Sequence, residues 1–395
     1  GSLELKQDNS SYSQDAKNIY FYGEQTVGGT GEINMTRDFG DDVGYNSLYF
    51  YGDANVLFEA FKAGEISALR EFNAESWATQ YDFPAVQRGD VVKSTFAHSK
   101  PSGMTGLVMN TRRAPFDDIR VREALIAAFN FEYINETLTG GAQPRITSYF
   151  SNSPLAMQDG PATGRVAELL TPFADDLPAG ALDGYALPVS DGSARNRAGI
   201  RRAMGALADA GYSADGGTMR GPDGQPLSFS ILLSKGSSEN IAIAELYIQA
   251  LARLGITARV DAVDDAQFVA RNAAFDFDMA IFRRALSLSP GNEQRYYWGS
   301  EAADQEGSRN LMGVKSPAID AMIDTMVGAS SAEDFTAATR ALDRVLTAGR
   351  YVIPFWQFTE DRIAHVAALK YPSHVPLYGD GPNYMPEVWW IEPAQ

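Results

Sequence analysis

Apolar residues along this chain recur at two spacings, which predict an alternation of strands and helices. Short runs at Ile19-Tyr20-Phe21-Tyr22 and Ser47-Leu48-Tyr49-Phe50-Tyr51 read as strands. Between them Gly28-Gly29-Thr30-Gly31 reads as a flexible turn. Asn55 to Ala63 then has helical spacing, with Val56, Leu57, Phe58 and Phe61 as its apolar stripe. Gly64 supplies the left-handed residue that ends it. Met104 to Asn110 is apolar without alternation, which predicts a strand covered on both faces. Asp117-Asp118 opens a helix carrying Val121, Leu125, Ala128 and Phe129, its carboxylates at the positive end of the helix dipole.

From about residue 140 to 195, Gly, Pro, Ser and Asp dominate, and an irregular excursion over a surface is expected. Helical spacing resumes at Ile200, Met204 and Leu207 and stops at Ala210-Gly211. The turn Gly221-Pro222-Asp223-Gly224 precedes a strand over Leu227 to Leu233. A helix over Asn240 to Leu254, a strand over Ile256 to Val260, a helix over Asp265 to Asn272 and a strand over Phe277 to Phe282 follow. This alternation predicts an α/β lobe with right-handed crossovers. Helices over Pro317 to Val327 and Ala332 to Ala348, a strand over Tyr351 to Phe358 and an aromatic tail complete the pattern.

At 395 residues the chain exceeds one ordinary core, so two or three lobes are expected. Its net charge of -17 provides no basic footprint, which argues against nucleic acid as a partner. Cysteine is absent, which excludes disulfides and thiolate metal sites. The three histidines, His98, His365 and His374, do not fall at metal-ligand spacing, so each is expected at the surface or as a cap. No apolar run approaches the length of a membrane span. Gly1-Ser2 reads as a cloning scar with no signal peptide after it, and the chain as a piece of a longer protein.

Catalytic chemistry finds little support in these residues. Gly-x-Ser-x-Gly is missing. The acidic pairs Asp41-Asp42, Asp117-Asp118, Asp175-Asp176 and Asp264-Asp265 fit turns and helix starts better than general acid–base work. The Gly28 to Gly31 turn lacks the Gly-Lys-Ser/Thr of a phosphate loop, and Phe275 to Phe282 lacks calcium-loop spacing. Binding chemistry is better represented. Ser289 to Arg309 (SPGNEQRYYWGSEAADQEGSR) packs Asn292, Arg295, Tyr296, Tyr297 and Trp298 behind a Pro-Gly turn. Flat aromatics, amides and a guanidinium in a loop suit ligand contact, or else cover the edge of a core. Arg283-Arg284 directly follow a strand, where open α/β sheets gather anionic ligands; the alternative is one solvated arginine and one ion pair.

Four segments resemble the family 5 extracellular solute-binding proteins, the peptide receptors of ABC importers. They are FEAFKAGE at Phe58 to Glu65, LVMNTRRAPFDDIRVREALIAAFN at Leu107 to Asn130, SPGNEQRYYWGS with GSRNLMGVKSPAIDAMID, and RYVIPFWQF with LYGDGPNYMPEVWWIE. SYFSNSPLA at Ser148 to Ala156 and YDFPAV at Tyr81 to Val86 are most similar to the Yej-type branch, associated with oligopeptides and a peptide–nucleotide conjugate. The likeness covers the C-terminal two-thirds of such proteins. It implies a periplasmic-binding-protein-like fold of the second type, with two α/β lobes joined by hinge strands and lobe I incomplete here. Residues 1–110 would be partial lobe I, 111–352 lobe II, and 353–395 the return to lobe I.

The function implied is capture of a peptide or peptide conjugate in the periplasm by a monomer that docks on an inner-membrane ABC permease. No cofactor, metal or catalysis is implied. Contacts would come from Asn292, Arg295, Tyr296, Tyr297, Trp298, Arg309 and Arg283, with Trp356 near the hinge. Trp389-Trp390 would belong to the core of lobe I. Many family members carry Trp-x-x-Asp-Tyr-x-x-Pro, whose Asp holds the peptide's amino group. Here Arg283 to Pro290 aligns with it and Leu286 stands at the Asp position. A sensing or scaffold module on the same fold, or a hydrolase, are the rival readings.

Overall fold

Five strands form the larger sheet in the order Val352–Pro354, Met104–Met109, Met279–Arg284, Ser228–Ser234, Thr257–Val263. The structure is a computed structural model that describes residues 31–39, 42–50, 54–380 and 384–392. Ile19 to Tyr22, Gly28 to Thr30 and Tyr51, read above as strand or turn, lie outside the described residues. Ser228–Ser234, Thr257–Val263 and Met279–Arg284 run parallel, and Met104–Met109 runs against its two neighbours. Met104 and the carboxyl ends Ser234, Val263, Arg284 and Pro354 therefore share one edge of the sheet.

Alternation along these strands feeds two cores. Leu107, Met109, Ile231, Leu233, Met279 and Ile353 point to one face, packed by the helices Ile119–Ala128, Arg197–Asp209 and Ser238–Ala252. Met104, Val108, Leu232, Ala280, Phe282 and Val352 point to the other, packed by Pro317–Val327 and Ala332–Ala348. The helix starts follow from local chemistry. Asp118 accepts from Arg120 N at 2.8 Å, and Ser331 Oγ accepts from Asp334 N at 3.0 Å. Gly64 and Gly140 take left-handed conformations where their helices stop.

A smaller antiparallel sheet has the order Ala68–Arg70, Glu360–Val366, Val91–Ala97. Phe61, Leu69, Tyr81 and Val91 pack on one side of it. Phe96, Ile363 and Trp389 pack on the other. Trp389 is thus core of this unit, whereas Trp390 is 48% exposed. The backbones of Gly31–Phe39 and Asp42–Phe50 pair as a separate hairpin.

The chain crosses between the sheets twice, over residues 98–103 and 355–359. The strand Met104–Met109 belongs to the larger sheet, so the first crossing precedes residue 110, where the sequence had suggested a boundary. The expected strand Tyr351 to Phe358 is confined to Val352–Pro354, and its remainder is the second crossing. Both crossings leave from the edge that carries the parallel strands' carboxyl ends.

Gly103 closes the first crossing with φ +65°, and a Cβ there would lie 2.1 Å from the Arg284 carbonyl oxygen. Gly103→Ala is expected to lower stability by about 2 kcal/mol or more, since strain and overlap add. Urea unfolding measures this; an unchanged midpoint would mean that the crossing does not press on the end of the Met279–Arg284 strand.

Candidate functional site

In open α/β sheets, ligands gather outside the carboxyl ends of the strands. At that edge Arg283 and Arg284 close the strand Met279–Arg284, opposite Thr105 and Met104. Both arginines are part of the strand, not of the loop after it. Arg283 is exposed. The Arg284 guanidinium stacks 4.4 Å from the centre of the Tyr297 ring and 5.8 Å from that of Phe282. The loop after the strand turns Leu286 and Leu288 partly into the core. Leu288 N donates to Tyr378 Oη at 2.8 Å, linking this loop to the segment that returns from the smaller sheet.

The polar-aromatic block read from sequence as a loop contains the short helix Glu293–Trp298. Its register decides which side chains reach the surface. Gln294 and Trp298 share one face and are buried, and Trp298 Nε1 donates to Gln294 Oε1 at 2.5 Å. Trp298 is 0% exposed and packs edge-on against Tyr149, Phe282 and Tyr297. This corrects the expectation of a ligand contact: with no free surface, Trp298 packs behind Tyr297 and cannot touch a solute directly.

Tyr297 is half-buried between Arg284 and Trp298. Asn292 is exposed just before the helix. Arg295 is exposed but turned to the neighbouring helix, where it pairs with Asp324. Tyr296 donates to the Gly307 carbonyl at 2.6 Å. Arg309 is exposed between the buried Ser308 and Asn310. Trp356 is buried at 8% exposure on the second crossing, bridged through its backbone to Arg145. Arg284, Tyr297 and the 285–289 loop therefore form one group, with Arg283 beside it on the opposite face of the strand. Arg295 and Tyr296 turn to Asp324 and Gly307, Arg309 stands exposed two residues beyond Gly307, and Trp356 lies apart in the hinge.

The hinge also carries a polar cluster that sequence reasoning missed. Lys100 Nζ donates to Asp361 Oδ1 at 2.8 Å, Asp380 N donates to Asp361 Oδ2 at 2.9 Å, and Arg70 pairs with Asp380. His98 and His365 are buried, contrary to the surface or capping role expected, because their partners lie far along the chain. His365 Nε2 meets Ser94 Oγ at 2.9 Å, 271 residues away in sequence. Arg145 stands beside the second crossing with Nη1 donating to the Pro188 carbonyl at 2.9 Å, Nη2 enclosed without a hydrogen-bond partner and the guanidinium over the Phe131 ring. Burial holds its pKa down at about 10, below the ordinary arginine value.

Among the described residues no group of three or more His, Cys, Asp or Glu could hold a metal ion, and no helix is long and apolar enough to cross a membrane. A cavity of about 140 Å³ lined by Phe129, Pro188, Ser190, Asn196 and Arg202 includes no residue of the 283–298 stretch.

The model of the family described as bacterial extracellular solute-binding proteins, family 5 Middle, matches residues 47–306. The chain is 39% identical over 382 residues to the peptidoglycan-binding protein YepA of Agrobacterium fabrum, covering 95% of this chain and 60% of the relative. It is 39% identical over 363 residues to the probable peptide-binding protein YejA of the same organism, covering 90% of this chain and 58% of the relative. The chain thus spans less than two-thirds of these relatives' length. Among solved structures, the oligopeptide-binding protein AppA of Bacillus subtilis in complex with a nonapeptide superposes with a TM-score of 0.66 at 16% identity. That match covers 91% of this chain and 66% of the other, and it shows the shared fold.

Proposed function

Because the chain belongs to the bacterial extracellular solute-binding proteins of family 5, we propose that it captures a peptide or peptide-like solute in the periplasm and delivers it to an ABC permease. The carrying observation is the coincidence of two features at one sheet edge. The carboxyl ends of the parallel strands and both crossings lie there together. A solute held at that edge touches the larger lobe and the hinge at once, so its binding favours one lobe arrangement over another.

Arg283, Tyr297, Asn292 and the main chain of the 285–289 loop are the proposed contacts on this wall, and Arg295, Tyr296 and Arg309 extend it. Main-chain groups there suit a peptide backbone, which offers donors and acceptors regardless of sequence. Arg283 favours a solute carboxylate. Leu286, half-buried and apolar, does not offer an anchor for a free amine, which favours a blocked or branched peptide. The names of the two Agrobacterium relatives place peptides and peptidoglycan pieces first among the solutes to try. Family membership and the absence of a nucleophile–base motif in the sequence favour binding over hydrolysis.

Mass spectrometry of solute released from the purified protein identifies the class, and a peptide or muropeptide is expected. Recovery of only sugars or metal chelates would reject the peptide reading. The paired change Arg283→Ala with Tyr297→Ala is expected to weaken that solute about tenfold or more in calorimetry. Full affinity in the pair would remove this wall from the site.

A further inference from the structure

The first crossing carries a buried histidine that stands between an amide of one part of the molecule and a carboxylate of another. The His98 side chain is 1% exposed. Its Nδ1 lies 3.3 Å from Asn152 Nδ2, which also donates to the carbonyl oxygens of His98 at 3.2 Å and Lys100 at 3.1 Å. That amide shares two hydrogens among three acceptors, and a ring that accepts from it carries its lone pair on Nδ1 and its hydrogen on Nε2. Reversing the amide would set its oxygen against two carbonyls, so the same contacts fix the amide too. Nε2 is enclosed without a hydrogen-bond partner, 3.9 Å from Asp361 Oδ1.

The two sides of this ring belong to different parts of the molecule. Asn152 lies in the larger lobe, in a loop that also accepts Ser102 N at the Ser151 carbonyl at 2.8 Å. Its φ of +64° is a left-handed turn conformation that asparagine adopts readily. Asp361 lies on the return strand of the smaller sheet. We propose that His98 is a pH-sensitive latch between the lobes. Neutral, it holds the Asn152 loop of the larger lobe; protonated, it releases that loop and turns to Asp361.

Protonation puts a hydrogen on Nδ1 facing the amide donor, which repels the Asn152 side chain from its place beside the ring and the two carbonyls. On the opposite side the new cation gains Asp361. The charged groups around the ring are Lys100 on its own segment, Asp361 and Glu360 on the return strand, and the Asp380–Arg70 pair beyond Asp361. Burial and Lys100 push the imidazole below its ordinary value against Asp361, a hydrogen bond to its own backbone and Glu360, so the latch opens on the acid side of neutrality.

The test is a nitrogen-15 NMR titration of the intact chain from about pH 7.5 to pH 4.5, a range that brackets an ordinary histidine. His98 is expected as the Nε2–H tautomer at the start. Exchange of the Asn152 side-chain amide hydrogens, corrected for the intrinsic pH effect, is expected to rise about tenfold or more with the same midpoint as the ring. In His98→Gln, which keeps an acceptor but cannot titrate, the rise is expected to vanish. A neutral Nδ1–H tautomer, an Asn152 amide indifferent to the ring's titration, or the same rise in His98→Gln would each overturn the latch.

Discussion

Trp298→Ala is expected to destabilise the fold by about 3–5 kcal/mol, the range for removing a large aromatic from a close-packed core. The indole is 0% exposed, with Tyr149, Phe282 and Tyr297 around it and Gln294 on its N–H. Truncation leaves a void beneath the strand that carries Arg283 and strands the Gln294 oxygen without a donor. Thermal unfolding should show a midpoint lower by on the order of 10 °C. Solute affinity should fall less than in the Arg283 and Tyr297 pair when measured well below that midpoint. Lost affinity with unchanged stability would restore Trp298 as a direct contact.

Asp343→Ala is the second large effect. Asp343 is 0% exposed within the helix Ala332–Ala348. It accepts from Tyr149 N at 2.8 Å, Phe150 N at 3.4 Å and Met157 N at 2.8 Å, pinning the loop that also carries Asn152. Alanine leaves these N–H groups unpartnered, and a loss of about 3 kcal/mol or more is expected.

The pH dependence has a definite sign. Burial pushes the carboxyl up to about 6, outweighing the N–H donors that pull it down. The folded state therefore holds this proton more tightly than the unfolded chain. Its stabilising contribution is complete below an ordinary carboxyl's pKa and is lost as pH rises through about 6. The stability gap between wild type and Asp343→Ala should widen as pH is lowered from about 7 to about 4. Paired urea unfolding curves at several pH values measure this, and a gap that narrows on acidification would contradict it.

Local signals in the sequence located most of the larger lobe. Asp118, Pro317 and the continuous apolar run from Met104 each act within a few residues, so the sequence shows them directly. The smaller sheet was not legible for the opposite reason. Val91–Ala97 and Glu360–Val366 carry Lys93, Ser94, Glu360, Asp361 and Arg362, and each becomes a strand only by pairing with the other across more than 250 residues of chain. The hinge cluster is hidden in the same way, since His98, Asp361 and Asp380 have meaning only once both crossings are in place. In the polar-aromatic block the residues were recognised but the helical register was not. Gln294 and Trp298 four residues apart were the available sign that one face of the block turns inward.

The central claim is that the solute sits at the sheet edge where the two crossings leave. Backbone NMR of the intact chain, recorded while adding the peptide or muropeptide identified by mass spectrometry, tests it most directly. Shifts are expected at Arg283 to Leu288, at Asn292 and Tyr297, and along 98–103 and 355–359. Binding that leaves these residues unmoved, or that perturbs only the Phe129–Arg202 cavity, would contradict it.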